Sequence, residues 1–581
     1  MMEKRIERVD NIPLILHWLL KMRINEIIDS VFTPHGNWQG LSYGKLAVIF
    51  LTYIVHSLNH RLSSAESWVN KHKTVLETVT GWSIGDKDAT DDRLGIMVEA
   101  FGEDGEKYRK FQLENGQNII QAFKMPTEFA RYDTSSFSVH HKGGSSNKGI
   151  LKNGHSKDRR PDLLQFKQGL GTLDPAGVPI FTETIAGNKA DDKLYVPAWR
   201  SMAENIGCKT FMFIADCKAA ALGTRAIISN EGGNYLFPLP MTGNVPELLK
   251  NYVLNPPTLP VKIVLEPKAA DELKEDAEKR MVGEGFAVER LKEATLPDGN
   301  VHKWTERWFI SQSYAHKKRK IKAFEKRLAK AEKRLKKLKL KKNESVDDFR
   351  KRAEQILKGQ KVADFIVPDI DESIKRKRKY IGRGRSGPNR PYKMEKIRKV
   401  TLSFKHDDNA INQFKALAGW RIFISNTPAE AMSLNQSAQY YRDEWQVEHG
   451  FHRFKKGCLP ALPLFLRIDA RIKGLMLILT IALQALTLLE FVSRRELAKN
   501  KETISGLVPG NPKMRTHRPT AERLLPQFDN LHMIIEDSQS HTKGYLFENL
   551  NSLQCKILDI LDMPKEIFDL SFTRPKFQNS S

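Results

Sequence analysis

Cysteine is scarce in this chain: 4 of 581 residues, Cys208, Cys217, Cys458 and Cys555, with no two in a Cys-x-x-Cys pair. That argues against a disulfide framework and against a structural zinc site, and it fits a reducing compartment. The opening stretch MMEKRIERVDNIPLIL lacks the charged-then-apolar layout of a secretory leader. A membrane-spanning run is also lacking. Residues 46–58 are too short, and residues 474–489 stay under the ~18 residues a span needs. Thr480, Gln484 and Thr487 interrupt the second run, so it reads as a buried core helix.

Acidic residues are in deficit, 69 against 94 Lys and Arg, for a net charge of +25. The location of the excess says more than its size. Residues 317–342 hold 15 basic residues against 2 acids, and residues 375–399 hold 12 against 1. The remainder carries 67 basic and 66 acidic residues and is close to neutral. A dedicated cationic surface for a polyanion is therefore expected, rather than a general bias.

With 40% hydrophobic residues the chain has material for real cores, and its length predicts two to four domains. Residues 1–125 read as helical, with Thr90 as an N-cap ahead of Asp91 and Asp92. Short helices of this kind suit a DNA-end-binding module and equally suit any small bundle. After Pro126 the texture changes to EFARYDTSSFSV, DLLQFKQGLGTL and PIFTETIAG, then the helical DDKLYVPAWRSMAENIG, then TFMFIADC and NYLFPLPM. Three strands, a helix and further strands are an α/β order.

Residues 242–418 interrupt this pattern as a basic insertion. Ile321, Phe324, Leu328, Ala331, Leu335 and Leu338 form a heptad seam, and Val346, Phe349, Ala353 and Ile356 repeat its spacing after a break at Asn343-Glu344-Ser345. Ser345 and Asp348 stand as a capping box, so the segment reads as a helical hairpin with a basic outer face. KRKRKYIGRGRSGPNRPYK reads as a mobile arm rich in Gly and Pro. Residues 419–495 return to the α/β pattern with a last strand, WRIFISN, and one long helix through YYRDEWQVEHGFHRFKK; residues 496–581 read as a helical tail.

Three carboxylates stand out. Asp133 lies in the first strand, Asp216 ends FMFIADCK, and Glu448 sits on the long helix. A carboxylate on a buried strand is costly unless it meets a cation. Two such strands and a helical glutamate could hold two divalent ions ~4 Å apart and so activate a hydroxyl against a phosphodiester. Taken singly, each aspartate could be a turn or cap residue, and Glu448 an ordinary exposed helix residue. Tyr441, Glu448 and Lys455 are seven apart and would share one face of a continuous helix.

Together these motifs resemble the DDE-type insertion-sequence transposases of the ribonuclease-H-like, retroviral-integrase superfamily. In one branch the catalytic helix reads Tyr-x2-Arg-x3-Glu-x6-Lys, matched by Tyr441, Glu448 and Lys455, with Glu444 standing at the arginine position and Arg442 two residues earlier. YDTSSFS and FIADCKAAALGTR resemble the two aspartate motifs, HSKDRRPDL and IAGNKADD their flanks, and LSYGKL and TDDRLG one subgroup's leader domain.

The resemblance implies a ribonuclease-H-like mixed-sheet core, interrupted before its last strand by the insertion, with Asp133, Asp216 and Glu448 binding two Mg2+ (or Mn2+) ions. It implies double-stranded DNA as partner, both terminal inverted repeats and target, a homodimer on paired ends, no membrane, and a cytoplasmic, nucleoid-associated location in a bacterium. DNA contacts are expected from Tyr441, Arg442, Lys455 and Lys456 on the helix, from Lys318, Arg319, Arg327 and Arg334 on the hairpin, and from Arg383 and Arg385 on the arm. Trp304 and Trp308 are candidates to stack on a flipped base, against the commoner fate of core packing. A nuclease of the same fold and a non-catalytic DNA-binding descendant remain alternatives.

Every phosphate that a side chain no longer neutralises lowers the log–log salt slope of DNA binding by about 0.9. Replacing Lys318, Lys322, Lys326, Lys330, Lys333 and Lys337 by Gln is expected to flatten that slope by several such steps in a fluorescence-anisotropy salt titration. An unchanged slope would show that the hairpin face does not meet DNA.

Overall fold

The computed structural model describes residues 3–141, 149–156, 160–266, 280–341, 344–385, 388–538, 541–546 and 549–575. Lys342, Asn343, Ser386 and Gly387, and residues 157–159 of HSKDRRPDL, lie outside the described residues. The chain is a mixed α/β protein.

It opens with a strand, β1 (Glu3–Arg8), and continues through helices α1 (Ile12–Lys21), α2 (Ile24–Val31), α3 (Tyr43–Ser57), α4 (Leu62–Lys71), α5 (Lys73–Thr80), α6 (Asp91–Glu103) and α7 (Gly105–Phe123). Ser42 caps α3 by accepting from the Lys45 N–H, and Asp104 caps α7. Thr90 occupies the cap position of α6 but makes no cap bond; its hydroxyl donates to the Lys87 carbonyl instead, 3.1 Å away.

The strands follow as read from their apolar runs: β2 (Phe129–Val139), β3 (Leu164–Leu173), β4 (Val178–Ala186), the helix α8 (Tyr195–Ile206), β5 (Met212–Ala215), α9 (Leu222–Asn230) and β6 (Asn234–Pro238). The insertion contributes α10 (Val245–Leu254), β7 (Val261–Val264), β8 (Met281–Thr295), β9 (Val301–Ser313), a helical hairpin of α11 (Tyr314–Lys336) and α12 (Val346–Gln360), β10 (Ile366–Tyr380), β11 (Tyr392–His406) and α13 (Asp408–Leu417). Then come β12 (Trp420–Ser425), α14 (Leu434–Arg442), α15 (Trp445–Lys455) and α16 (Asp469–Lys499).

Nine strands form one sheet in the order β4-β3-β2-β5-β6-β12-β9-β8-β7. β2 runs parallel to β5, and β5 to β6; the other neighbours are antiparallel. The insertion therefore follows a five-strand unit, β4-β3-β2-β5-β6, and its own strands extend the sheet through β12. As expected, the insertion precedes a last strand, β12, which pairs with β6 on one side and with β9 of the insertion on the other.

Two expectations are corrected. The segment read as a mobile arm forms the outer end and turn of an antiparallel ribbon, in which β10 and β11 pair from Ile366–His406 to Tyr380–Tyr392. The alternating Lys/Arg run 375–379 is extended backbone in β10. The tail is not purely helical. Besides α17 (Ala521–Leu524) and α18 (Ser552–Ile560) it holds β13 (His532–Asp537), β14 (His541–Leu546) and β15 (Phe572–Pro575), which join β1 in a second sheet.

The hairpin has its own core. Phe324, Leu328, Ala331 and Leu335 of α11 meet Ala353 and Leu357 of α12, as the heptad spacing requires, and Ser345 accepts from the Asp348 N–H at 3.0 Å. The main apolar core runs from the N-terminal helices through the sheet to the C-terminal elements, with α16 at its centre. Among the described residues α16 is the one helix long and apolar enough to cross a membrane, and its apolar window lies wholly inside the fold. Its polar interruptions are bonding points. Gln484 accepts from Asn115 at 2.9 Å and donates to the Pro179 carbonyl at 2.8 Å, while Thr480 and Thr487 donate to carbonyls one turn back.

Helices α6 and α16 cross with their backbones touching. A Cβ on Gly474 would stand 1.8 Å from the Val98 carbonyl oxygen, and one on Gly102 2.0 Å from that of Ala470. In an open helix Gly→Ala gains up to ~1 kcal/mol. At Gly474 the clash with backbone outweighs this, and a net loss of about 1–3 kcal/mol is expected. Gly359 in α12 has nothing within 4 Å of its added Cβ and serves as the control. Urea unfolding should show Gly474→Ala destabilised and Gly359→Ala unchanged or more stable; the same sign at both sites would contradict the crossing.

Candidate active site

Parallel pairing sets the site. The register of β2 and β5, strands spaced by ~4.8 Å, ends with Tyr132 opposite Ala215, so Asp133 on β2 and Asp216 just past the end of β5 follow side by side. Asp133 is half-buried, and its carboxylate accepts from the Thr134 N–H at 2.7 Å. Asp216 accepts from the Lys218 N–H at 3.0 Å and from the Tyr195 hydroxyl on α8. Burial, then the charges of Asp216 and Asp133, push the Tyr195 phenol far above its ordinary range. It stays a donor.

The long helix expected through this region is broken. α14 ends at Arg442 and α15 starts at Trp445, so Tyr441 and Glu448 lie on different helices and do not share a continuous face. The apolar periodicity runs in phase across the break, which is why sequence spacing does not reveal it. Ser433 and Gln436 close a reciprocal capping box at the start of α14. Arg131 on β2 fixes its end: two hydrogen bonds of 2.7 Å hold Asp174, and Nη2 also donates to the Tyr440 carbonyl at 2.8 Å.

The break turns Glu444 inward. It is hydrogen-bonded to Tyr441, whose ring packs on Phe423 at 4.6 Å. Burial raises the Glu444 carboxyl, and the charges of Asp133 and Glu448 raise it further, to about 7. Glu448, one turn later, is exposed. Lys455 extends over the Phe137 ring of β2, its ammonium 5.3 Å from the ring centre. Among the described residues no group of three His, Cys, Asp or Glu side chains is assembled to hold a metal ion. The donor chemistry itself, several carboxylates repelling one another, is what a hard divalent cation takes. The structure thus brings Asp133 beside Asp216 and sets Glu444 within their field, with Glu448 on the rim.

A cleft of 340 Å³ opens beside these groups, between α14–α15 and the insertion. Glu444, Glu448 and Arg442 line one side; His316, Arg319 and Arg421 line the other. Burial and then the charges of Arg421, Lys320 and Arg319 lower the His316 imidazole, a sign of how cationic that wall is. Arg421, His316 and Arg131 carry no signal in the sequence that singles them out. Arg131 directly precedes Tyr132-Asp133, but nothing local marks it as a clamp.

The other expected DNA contacts divide. Lys318, Arg319 and Arg334 on α11, Arg442, Lys456 at the end of α15, and Arg383 and Arg385 in the ribbon's turn are exposed; Arg327 is half-buried near the Phe324 ring. Trp304 and Trp308 are only 7% and 4% exposed. Both point inward from β9, donating to the Tyr235 hydroxyl at 2.9 Å and to Glu306 at 3.1 Å, so neither presents a face for a base. Core packing is their place, around a buried Arg225–Glu306 pair.

α15 is tied to the core by charge. Arg453 binds Glu490 of α16, and its Nε meets Glu522 of α17 at 2.8 Å. No family model matches the chain, and no curated protein matches it in sequence.

Burial pushes the Glu522 carboxyl up, but its bonds to Arg453 outweigh this and hold it down at about 2. A depressed carboxyl stabilises the fold above its unfolded pKa, and that stability is lost as pH falls through the folded value. Glu522→Gln should therefore be less stable than wild type near pH 7, with the gap closing between about pH 5 and pH 2. Thermal unfolding across that range tests it; a gap independent of pH would mean that Arg453 gains nothing from the charge.

Proposed function

We propose that the chain is a DNA transposase of the DDE type, cutting and joining DNA at the ends of an insertion sequence. The observation that carries this reading is the placement of Asp133 on β2 beside Asp216, the residue that follows the parallel strand β5, with Glu444 at the cap position of α15 and Glu448 in its first turn, behind a basic insertion. The strand order β4-β3-β2-β5-β6, three antiparallel strands followed by two parallel ones, supports a ribonuclease-H-like core.

Asp133, Asp216 and Glu448 would hold Mg2+ or Mn2+, two ions in the family's manner. Such ions supply Lewis-acid stabilisation of the charge that develops on phosphodiester oxygens. The chain's own groups do the rest. Tyr195 fixes the orientation of Asp216, and Arg131 holds the end of α14 so that the helix break places its carboxylates. Arg319, Arg421 and Arg442 draw the phosphate backbone of duplex DNA into the cleft. The natural partners are then the element's inverted repeats and a target duplex, with a homodimer bridging paired ends in the bacterial cytoplasm. A second reading, a DNA-binding protein that does not cut, is favoured by the exposure of Glu448 on the cleft rim.

A single-turnover cleavage and joining assay with magnesium separates these. Ala at Asp133, Asp216 or Glu448 should lower the rate by on the order of 10²–10³ or more while leaving DNA binding intact. Glu444→Ala should be milder. Full activity of Glu448→Ala with a dead Glu444→Ala would assign the helical ligand one turn earlier. Activity in all four would defeat the transposase mechanism, and binding without cleavage in wild type would favour the non-catalytic reading.

A further inference from the structure

The ribbon of β10 and β11 carries more than charge. Its strands pair from Ile366–His406 at the base to Tyr380–Tyr392 at the tip. Cross-strand partners share a face, and alternate rungs face opposite ways. At the base, Ile366, Leu402 and Phe404 pack into the small core of the α11–α12 hairpin, which anchors the ribbon. Beyond the Glu372–Val400 rung both faces are solvent-exposed, and they differ in kind.

One face presents the pairs Ile374–Arg398, Arg376–Lys396, Arg378–Met394 and Tyr380–Tyr392. The other presents Ser373–Lys399, Lys375–Ile397, Lys377–Glu395 and Lys379–Lys393. The paired strands' arginines and tyrosines thus all lie on the first face, and their lysines, Lys396 excepted, on the second. Arg378 lies 4.6 Å from the centre of the Tyr392 ring, and Arg390 from the turn lies 5.7 Å from that of Tyr380. Arg398 is engaged by Glu372, whereas across from Arg376 and Arg378 stand Lys396 and Met394. Ile374, Met394 and Tyr392 are 63%, 47% and 42% exposed, which serves no purpose on an arm that merely solubilises.

We propose that this ribbon is a sequence-reading arm, whose Arg376–Arg378–Lys396–Tyr380–Tyr392 face enters the major groove of double-stranded DNA while its lysine face supplies charge without selectivity. The choice of DNA as partner rests on the function proposed above. The B-form major groove admits a two-stranded ribbon, arginine forks match guanine edges, and apolar side chains meet thymine methyls. A-form RNA has a deep, narrow major groove that does not admit it. Lysine is a point charge and does not match the bidentate pattern.

The test uses the full-length protein in EDTA, so that cleavage plays no part. The probe is a pool of 40-bp duplexes with a randomised centre, selected for binding and sequenced, with a salt titration on one fixed 40-bp duplex. Wild type should enrich a short motif. R376Q/R378Q should lose about tenfold or more of the preference at the guanines it reads. K375Q/K377Q should keep the motif while its salt slope falls by up to about 2. A wild type that enriches a motif here but neither cleaves nor joins DNA with magnesium would sink the catalytic reading alone, and one that cleaves but enriches nothing would sink this one. The proposal is overturned if wild type enriches nothing, if R376Q/R378Q keeps the full motif, if K375Q/K377Q abolishes it, or if single strands or an RNA duplex of the same sequence compete equally.

Discussion

Like charges held close together are the condition this fold is built around. The parallel register of β2 and β5 forces Asp133 and Asp216 into adjacency, and the break between α14 and α15 delivers Glu444 into the same field. Carboxylates in such a place repel, and burial leaves little water to screen them. The surrounding groups answer that repulsion by donating. The Tyr195 hydroxyl meets Asp216, Tyr441 meets Glu444, and the carboxyl of Glu444 holds its proton up to about 7. Arg131 and Arg453 then fix, from two sides, the helices that bring those carboxylates in.

The insertion belongs to the same construction. Its strands β7, β8 and β9 continue the sheet through β12, so the cationic wall of the cleft is a direct extension of the layer that bears the aspartates. Sheet hydrogen bonds place β12, which carries Arg421, and β9, which runs directly into α11 with Arg319. The hairpin and ribbon are then free to project, since the short core around Phe324 and Leu357 is complete in itself.

Much of this was legible in the sequence because it is local. Short apolar runs mark the strands, the heptad seam marks the hairpin, and the place of Asp133 in the first strand and of Asp216 at the end of the run FMFIA follows from the order of elements. What escapes is non-local or balanced. The break at Glu444 is hidden because Tyr441, Glu448 and Lys455 keep helical spacing on both sides of it. The ribbon is misread because each strand alone is a charged run, and only pairing with the other, as between Arg376 and Lys396, makes it a sheet. Trp304 and Trp308 share a face in either secondary structure, so spacing alone could not tell whether that face was wet or dry. The sheet of the tail depends on a partner more than 500 residues away, β1, which no window of sequence contains.

That last pairing bears on how the molecule is made. Glu3 aligns with Asp537, so β1 has no partner until nearly the whole chain has been synthesised. At about 5–20 residues per second this is a wait of roughly half a minute to two minutes. Through that interval a strand with open hydrogen-bonding groups leaves the ribosome ahead of every element that will cover it. Its sequence, EKRIER, is charged at five positions of six, and charge on an unpaired edge is what keeps other chains from pairing with it. The strand is thus written for two environments, a crowded one in which it must remain single and a finished one in which it forms the edge of the sheet.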